Sequence, residues 1–321
     1  MNVNLFPPKA VLFDMDGVCY DSMPNHAIAW QRSMRTFGIT MTEEDAYLTE
    51  GQRGTDTIKQ LVKAQRGIDI SDEEAQRMYD EKAREFGLLP TTKIMPGVLD
   101  FMALLKSRDI KIGIVTGSGQ RPLIERLQRE FAEYVQPGHI VTAYDVTQGK
   151  PHPEPYLKGA QLLGVSPRHT VVIENAPLGV QAGVAAGCYT IAVNTGPLPN
   201  HDLRKAGARH VFKTFRRLSA AWPTLFPPVA DDEGRWLYIC NQIVTFIKTR
   251  KRRPSKHHPE DRQMHNWIKH NKRLLARGEM PPERVTHFQE LLDLAAKYRR
   301  VNQYVYAPDN DESQLELPFP A

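Results

Sequence analysis

Short apolar runs recur along the first two thirds of the chain, each bounded by polar or turn residues. The runs typical of buried strands are Lys9–Phe13, Ile110–Val115, Thr170–Ile173 and Thr190–Val193. Unbroken apolar runs of this length favour parallel strands covered on both faces. The segments between them are compatible with helices, so the pattern predicts an α/β fold with a doubly wound, Rossmann-like parallel sheet. Ligands of such sheets bind beyond the carboxyl ends of the strands.

A long segment between the first strand and the Met95–Gly97 turn has helical patterning, for example at 72–82. We therefore expect a helical cap over 21–93, inserted into a core formed by 1–20 and 94–225. A proline-rich stretch followed by acidic residues predicts a linker over 226–234.

The last third of the chain differs in charge. The formal net charge is +5, but residues 235–300 contain 16 Lys and Arg against 6 Asp and Glu, whereas residues 1–228 contain 26 against 24. Helical apolar spacing recurs at Trp236–Lys248, Met264–Ile268 and Phe288–Leu294. We predict a basic module of three short helices over 235–300, with the Lys248–Pro254 run on its surface. An acidic tail over 301–321 is expected to be disordered.

Composition disfavours membrane and disulfide-rich proteins. No stretch approaches the ~18 consecutive apolar residues that a membrane span needs, and Met1–Ala10 lacks the pattern of a secretory signal. Cys19, Cys188 and Cys240 are scattered without metal-type spacing, and we expect them to be packed small residues. The predicted location is cytoplasmic.

Two carboxylates follow the first predicted strand. Asp14 and Asp16 stand two residues apart, and Gly17 permits a tight turn directly after them. One carboxylate can attack a phosphorus atom while the other protonates the leaving oxygen and then activates water. Such a pair occurs in many proteins, so it needs support from the other strand ends.

The remaining strand ends supply complementary groups. Thr116, Gly117 and Ser118 offer hydroxyl and main-chain N–H groups that can hold phosphate oxygens. Lys150 can neutralise phosphoryl charge and keep a neighbouring carboxylate ionised. The side-chain oxygens of Glu174 and Asn175 are hard ligands of the kind that Mg²⁺ prefers.

These segments resemble, in order and spacing, the four motifs of the haloacid dehalogenase (HAD) superfamily. The matching segments are Phe13–Val18 with Asp21 and Ser22, Val115–Ser118, Gly149–Leu157 and Ile173–Gly183. The resemblance covers about residues 8–220 and is strongest to the β-phosphoglucomutase-like phosphatases and phosphohexomutases. Four ordered motifs at strand ends are a far more specific signal than any one of them.

The resemblance implies that Asp14 is the nucleophile and Asp16 the general acid and base, with Thr116 and Lys150 holding the phosphate. The Mg²⁺ ligands it implies are Asp14, the main-chain carbonyl of Asp16, Glu174 and Asn175. An aspartate at position 16 argues against dehalogenases and cation-pumping ATPases within the superfamily. One departure is Asn175, where the family usually has an aspartate. Since an amide lacks the charge that strengthens cation binding, we expect weaker Mg²⁺ affinity with activity retained.

The substrate side of the site is less well defined by sequence. The resemblance places His26 at the cap entrance, where related phosphomutases have a histidine, and packing at the cap hinge is the alternative. Arg53 lies in a glycine-flanked cap loop and can read the distal end of a substrate, or be an ordinary exposed arginine. Gly119 stands where the mutases have a lysine, which favours a phosphatase unless Arg53 or Arg121 compensates.

The preferred prediction is a phosphatase of a small phosphorylated metabolite, in particular a sugar phosphate, with a phosphohexomutase as the alternative. Residues 235–300 loosely resemble a helicase-associated domain, which leaves a third possibility of another class: a nucleic-acid-binding protein whose phosphatase-like half acts on nucleotide ends or serves as a scaffold. Gln314–Phe319 resembles peptides that dock on the replication sliding clamp, although so short a match also arises by chance.

Overall fold

The computed structural model of the protein describes residues 7–227, 232–258 and 261–298. The chain divides into two compact units, Met1–Arg235 and Trp236–Ala321. The predicted acidic tail and the clamp-like segment Gln314–Phe319 lie outside the described residues.

A six-stranded parallel sheet forms the centre of the first unit. Its strands are β1 (Ala10–Phe13), β2 (Lys111–Val115), β3 (Ile140–Val141), β4 (Thr170–Glu174), β5 (Tyr189–Val193) and β6 (His210–Phe212). They are arranged in the order β3-β2-β1-β4-β5-β6, and every neighbouring pair is parallel. The predicted doubly wound α/β fold is therefore confirmed, and the structure adds the two short edge strands β3 and β6.

Helices surround the sheet and form the inserted cap. The cap helices are α1 (Met23–Thr36), α2 (Glu43–Leu48), α3 (Gly54–Arg66) and α4 (Asp72–Gly87). The core helices are α5 (Val98–Lys106), α6 (Arg121–Glu130), α7 (Glu154–Leu162), α8 (Pro177–Ala185), α9 (Asn200–Lys205) and α10 (Phe215–Leu225).

Both faces of β1 are buried, as its unbroken apolar sequence predicts. Val11 and Phe13 pack in one apolar cluster, while Ala10 and Leu12 pack in the cluster on the other face. This alternation follows from the two-residue period of a strand. The parallel register aligns the ends of β1, β2 and β4, so the loops that follow these strands emerge at one edge of the sheet.

The cap has its own apolar core, to which Trp30, Met34 and Ile58 contribute. Its incoming and outgoing chains run side by side, joined by an antiparallel bridge between Tyr20 and Ile94. The Met95 main-chain N–H donates to the Cys19 carbonyl at 2.9 Å. The cap is therefore an insertion attached through a narrow, paired neck.

The structure differs from the predicted linker over 226–234 at both ends. Phe226 is buried and its ring packs 4.4 Å from that of Trp222, so it belongs to the core of the first unit. Helix α11 already begins at Asp232. Pro223, from the proline-rich stretch before it, lies inside α10.

Three helices make up the described part of the basic module: α11 (Asp232–Arg250), α12 (Arg262–Ala276) and α13 (Pro282–Lys297). The ring centroids of Trp236 and Trp267 are 5.3 Å apart, and that of Phe288 is 6.3 Å from Trp236. Trp236 Nε1 donates a hydrogen bond to Asn271 Oδ1 at 2.6 Å. An aromatic cluster of this kind is a sufficient centre for a small three-helix core.

Among the described residues, no helix combines the length and apolar character needed to cross a membrane. The three cysteines are free thiols, and each is buried as expected.

Candidate active site

Asp14 is the first residue after β1, and its main-chain N–H donates to the Ile173 carbonyl at 3.0 Å. The carboxyl group is almost completely buried, and its Oδ2 atom has no hydrogen-bond partner. Burial raises the pKa of Asp14, while the adjacent charge of Lys150 lowers it and favours the ionised carboxylate. Leaving a buried hydrogen-bond acceptor without a partner costs free energy. The Oδ2 atom is therefore suited to binding a ligand or a metal ion.

Lys150 joins two carboxylates at the bottom of the site. Its ammonium group donates to Asp14 Oδ1 and, at 2.7 Å, to Glu174 Oε1. Tyr156 also donates to Glu174 Oε1 at 2.7 Å, and the other Glu174 oxygen accepts from the main-chain N–H of Asn175 at 2.9 Å. Burial lowers the pKa of Lys150, but the two carboxylates outweigh that effect and raise it. Lys150 therefore carries a fixed positive charge beside Asp14.

Two glycines leave space for this arrangement. A Cβ atom built on Gly179, in α8, would lie 1.7 Å from Glu174 Oε1. A Cβ atom on Gly17 would lie 2.1 Å from Asn175 Nδ2, and Gly17 has a positive φ of 78°. No side chain fits at either position while Glu174 and Asn175 keep their places.

A second chain of contacts runs from Asp16 into the cap. Asp16 Oδ1 accepts from the Ser22 hydroxyl at 2.6 Å and lies 2.9 Å from His26 Nε2. The other ring nitrogen of His26 is 2.6 Å from Lys82 Nζ. Lys82 is buried on α4, and its ammonium group lies 5.1 Å from the Trp30 ring centroid. Asp16, His26 and Lys82 thus form a continuous line from core to cap.

The chemistry of an ammonium group fixes the direction of these hydrogen bonds. Lys82 in its charged form can only donate, so His26 Nδ1 accepts and His26 Nε2 donates its proton toward Asp16. Burial would raise the pKa of Asp16, but the contact with His26 outweighs it and lowers the pKa. Burial lowers the pKa of Lys82 to about 8, and the Asp16 charge opposes that shift.

The loop after β2 lies at the same edge of the sheet. Thr116 is buried, and its hydroxyl accepts from the Ser118 main-chain N–H at 3.0 Å. A Cβ atom on Gly117 would lie 2.8 Å from the Gly51 carbonyl oxygen of the cap. The cap backbone therefore rests directly on the loop Thr116–Ser118, which closes the site from above.

Arg53 contributes to this closure. Its guanidinium donates to the Thr147 carbonyl at 3.0 Å. A Cβ atom on Gly149 would lie 2.8 Å from Arg53 Cγ, so the arginine stem packs against the segment that leads into Lys150. The structure thus shows Arg53 at a contact between cap and core.

A cleft of about 890 Å³ opens next to this closed site. Residues from both cap and core line it, among them Arg53, Tyr79, Gly117, Gln120 and Arg126. The Nε2 atom of Gln120 is buried without a partner, so it can serve as a donor to a ligand. A cleft of this volume accommodates a small phosphorylated metabolite.

The donor set at the strand ends fits a small hard cation. Besides Asp14 Oδ2, the Oδ1 atom of Asn175 is buried and has no partner. Carboxylate and amide oxygens are the ligands that Mg²⁺ takes in proteins. Among the described residues no group of three or more His, Cys, Asp and Glu side chains forms a metal cluster, so a metal here would rely on this mixed oxygen set.

Among the residues predicted around the strand ends, Asp14, Lys150 and Glu174 are in direct contact, while Asp16, Thr116, Gly117, Ser118 and Asn175 lie in the loops at the same edge of the sheet. His26 joins them through its bond to Asp16. Arg121 is exposed at the first turn of α6. The position of Gly119 is covered by the Tyr144 ring, whose hydroxyl donates to the Gly119 carbonyl.

Sequence reasoning missed Lys82, Tyr156 and Gly179. For Lys82 a signal exists, because the buried residues of α4 are Ala75, Met78, Lys82 and Phe86, with the spacing of one helical stripe. A lysine on an otherwise apolar stripe indicates a buried cation with a specific partner. No comparable signal marks Gly179, since its role depends on where the Glu174 side chain turns.

The first unit is thus an α/β core with an inserted helical cap, in which a buried carboxylate is paired with a lysine at the carboxyl ends of parallel strands. The family model for haloacid dehalogenase-like hydrolases matches residues 8–187, and the chain belongs to this family. The family match ends before the basic module, whose resemblance to a helicase-associated domain stays a prediction.

Individual relatives place the chain among phosphatases and phosphomutases of this family. It is 36% identical over 186 residues to hexitol phosphatase A of Escherichia coli (strain K12), covering 58% of this chain and 83% of the relative. It is 28% identical over 201 residues to beta-phosphoglucomutase of Bacillus subtilis (strain 168), covering 61% and 88%. A solved Bacteroides vulgatus protein with a provisional beta-phosphoglucomutase name is 45% identical with a TM-score of 0.67, covering 70% and 92%.

Proposed function

We propose that this protein hydrolyses the phosphate monoester of a small sugar or polyol, with Mg²⁺ as cofactor and a phosphorylated Asp14 as intermediate. The observation that carries the proposal is the buried Asp14 carboxylate, held on one oxygen by Lys150 and without a partner on the other. Asp14, Asn175, Glu174 and the Asp16 main-chain carbonyl are the groups that would hold Mg²⁺, which when bound neutralises charge on the phosphoryl oxygens.

In the first step an Asp14 oxygen forms a bond to phosphorus, and the bond between phosphorus and the ester oxygen breaks. The leaving oxygen takes a proton from Asp16, which first receives it from His26 Nε2, and Asp16 is left as the carboxylate that serves as base in the second step. Lys82 supplies His26 in turn through the contact at Nδ1. Thr116 and the main-chain N–H groups of its loop hold the phosphoryl oxygens, and Lys150 offsets their charge.

In the second step a water molecule attacks phosphorus and gives a proton to Asp16. Phosphate leaves and Asp14 is restored as a carboxylate. The role of Asp16 alternates between acid and base, as microscopic reversibility requires for this sequence. Closure of the cap over the loop Thr116–Ser118 restricts access of bulk water while the ester bond breaks.

A small polyhydroxylated substrate agrees with the cleft. Arg53 and Gln120 offer donors at its wall, and Tyr79 offers a ring face for a sugar. The similarity to a hexitol phosphatase points to the same class of ester. Hydrolysis is favoured over mutase chemistry because Tyr144 covers the position of Gly119, where a mutase would need a further cation for a second phosphate.

The test is phosphate release from a panel of hexitol phosphates, sugar phosphates, glycerol 1-phosphate and 5′- or 3′-phosphorylated oligonucleotides, with Mg²⁺. We expect turnover of small esters by the wild type and none by Asp14→Asn. Equal release by wild type and Asp14→Asn across the whole panel would exclude the proposal.

The phosphohexomutase alternative rests on the similarity to beta-phosphoglucomutase. It predicts conversion of β-glucose 1-phosphate to glucose 6-phosphate that depends on a bisphosphate activator. A rate of that conversion above the rate of phosphate release would replace the hydrolase assignment by the mutase.

A further inference from the structure

A concave surface of about 790 Å³ lies within the second unit. We call it the basic groove, and its basic lining residues are Arg252, Arg253, Lys256, His257, His258, His265, Lys269, Lys272 and Arg273. Among the described residues that line it, none is acidic. The groove therefore concentrates one sign of charge in a small concavity, which strengthens the local field.

The loop 251–258, α12 and the C-terminal part of α13 line the groove. The loop 251–258 contributes Arg253 and Lys256, while α12 contributes Lys269, Lys272 and Arg273, which lie on one face of that helix by their spacing. All five side chains are exposed. The groove lining also contains apolar residues such as Ile268 and Leu292.

Arg252 has a different role from these five. It forms an ion pair with Asp261, which is fully buried and also accepts from the Ser255 main-chain N–H at 3.0 Å. The Arg252 guanidinium lies 5.0 Å from the Phe246 ring centroid. Arg252 is thus used to fix the loop 251–258, and the geometry of the loop side of the groove is preset.

The five exposed cations have no carboxylate partner within the part of the chain that the structure describes. Elsewhere in the protein exposed cations do find partners, as Lys63 does with Asp69 at 2.7 Å. Like charges that face one cavity repel one another, and a bound polyanion relieves that repulsion. An ordinary solubilising surface mixes both signs of charge, which this groove does not.

We propose that the basic groove binds nucleic acid, through the phosphates of a polynucleotide backbone. Five cations around a concavity match a chain of regularly spaced phosphates, since each can neutralise one phosphate and release counterions. The apolar lining residues and Tyr298, which also lines the groove, offer surface for a sugar or base. An acidic peptide lacks planar bases to stack, so the groove composition favours the polynucleotide.

The test uses the full chain and fluorescence anisotropy with a labelled single-stranded DNA 12-mer at 50–200 mM salt. With five phosphate contacts we expect a slope of log K against log salt of about −3.5, which weakens binding about 100-fold over that range. The triple variant K269Q/K272Q/R273Q should reduce the slope to about −1.4 and weaken binding at least tenfold at 50 mM salt.

The matched control removes the same charge from the same unit outside the groove, as R262Q/R277Q/K297Q. It should retain the wild-type slope within about one unit. A second groove variant, R253Q/K256Q, changes residues of the loop 251–258 and leaves α12 intact. Weaker binding by this variant cannot result from altered stability of α12. Equal losses in groove and control variants would show a nonspecific charge effect and overturn the proposal.

A polyglutamate 12-mer distinguishes the ligand class. We expect it to displace DNA at least tenfold less well than an unlabelled 12-mer of DNA. Equal displacement would assign the groove to acidic peptides and overturn the nucleic-acid proposal, as would absence of DNA binding at 50 mM salt. The assay measures only binding. Its outcome for the basic groove therefore does not depend on the proposed phosphatase activity.

Discussion

Replacing Gly179 by alanine tests how the active site is built. General helix propensity and this structure predict opposite signs for the change in stability. Glycine inside a helix is usually destabilising, and alanine at such a position gains about 1 kcal/mol. At Gly179 the added Cβ would lie 1.7 Å from Glu174 Oε1 and 2.0 Å from its Cδ. The Glu174 carboxylate would therefore have to leave its place.

The surrounding structure makes that movement costly. Glu174 ends β4, which is paired on one side with β1 and on the other with β5, so its main chain cannot retreat. Its side chain would lose the contacts with Lys150 and Tyr156, both at 2.7 Å. Breaking a buried ion pair costs about 3–5 kcal/mol. The net destabilisation expected for Gly179→Ala is about 2–4 kcal/mol after the helix gain is subtracted.

The measurement is thermal unfolding together with steady-state phosphate release. We expect the Tm of the first unit to fall by about 5–15 °C. Displacement of Glu174 also shifts Lys150 from Asp14, and kcat should drop about 100-fold, as for small misplacements of catalytic groups.

Gly87→Ala is the matched control, since Gly87 is also helical and a Cβ there meets nothing within 4 Å. It should raise stability or leave it unchanged. If Gly179→Ala behaved like Gly87→Ala in both Tm and kcat, the proposed clash with Glu174 would be refuted.

Three further perturbations have clear expected outcomes. Asn175→Asp adds a charged oxygen ligand and should tighten Mg²⁺ binding about tenfold by calorimetry; unchanged affinity would remove Asn175 from the ligand set. Lys82→Met should lower kcat about 10- to 100-fold with little change in KM. Lys63→Met, on the exposed cap surface, is the control and should have no effect. Equal kinetics of the two variants would exclude a role of Lys82 in proton supply. Trp236→Ala should destabilise the second unit by about 3–5 kcal/mol in calorimetric unfolding while phosphate release persists, and a parallel loss of activity would contradict separate cores.

The sequence predicted the parts of the fold and site that depend on local pattern. Asp14, Thr116 and Asn175 directly follow the adjacent strands β1, β2 and β4, whose apolar runs are visible in the sequence, and parallel pairing necessarily brings these strand ends to one edge. The family resemblance then supplied expected roles for them. The short strands β3 and β6 were missed because two or three residues carry too little periodicity to be recognised.

Other features depend on contacts between distant segments. Lys82 lies 56 residues from His26 along the chain, so their pairing follows from how α4 packs on α1. Tyr156 reaches Glu174 from α7, 18 residues away along the chain. The partner of Arg53 is a main-chain carbonyl at Thr147, and a carbonyl gives no sequence signal. Such relations become visible only when side-chain positions are known.

The paired neck of the cap has a consequence for how this enzyme can be altered. The chain leaves the core at Tyr20 and returns at Ile94, and these two residues are bridged to each other. The whole insertion can therefore be exchanged as a cassette, with both splice points a few ångströms apart and no strand interrupted. The groups proposed for phosphorus chemistry, Asp14, Lys150 and Glu174, all stay behind in the recipient scaffold. Grafting the cap of a relative that acts on another ester is thus a direct route to new specificity, provided that the graft again supplies a histidine and a lysine in line with Asp16.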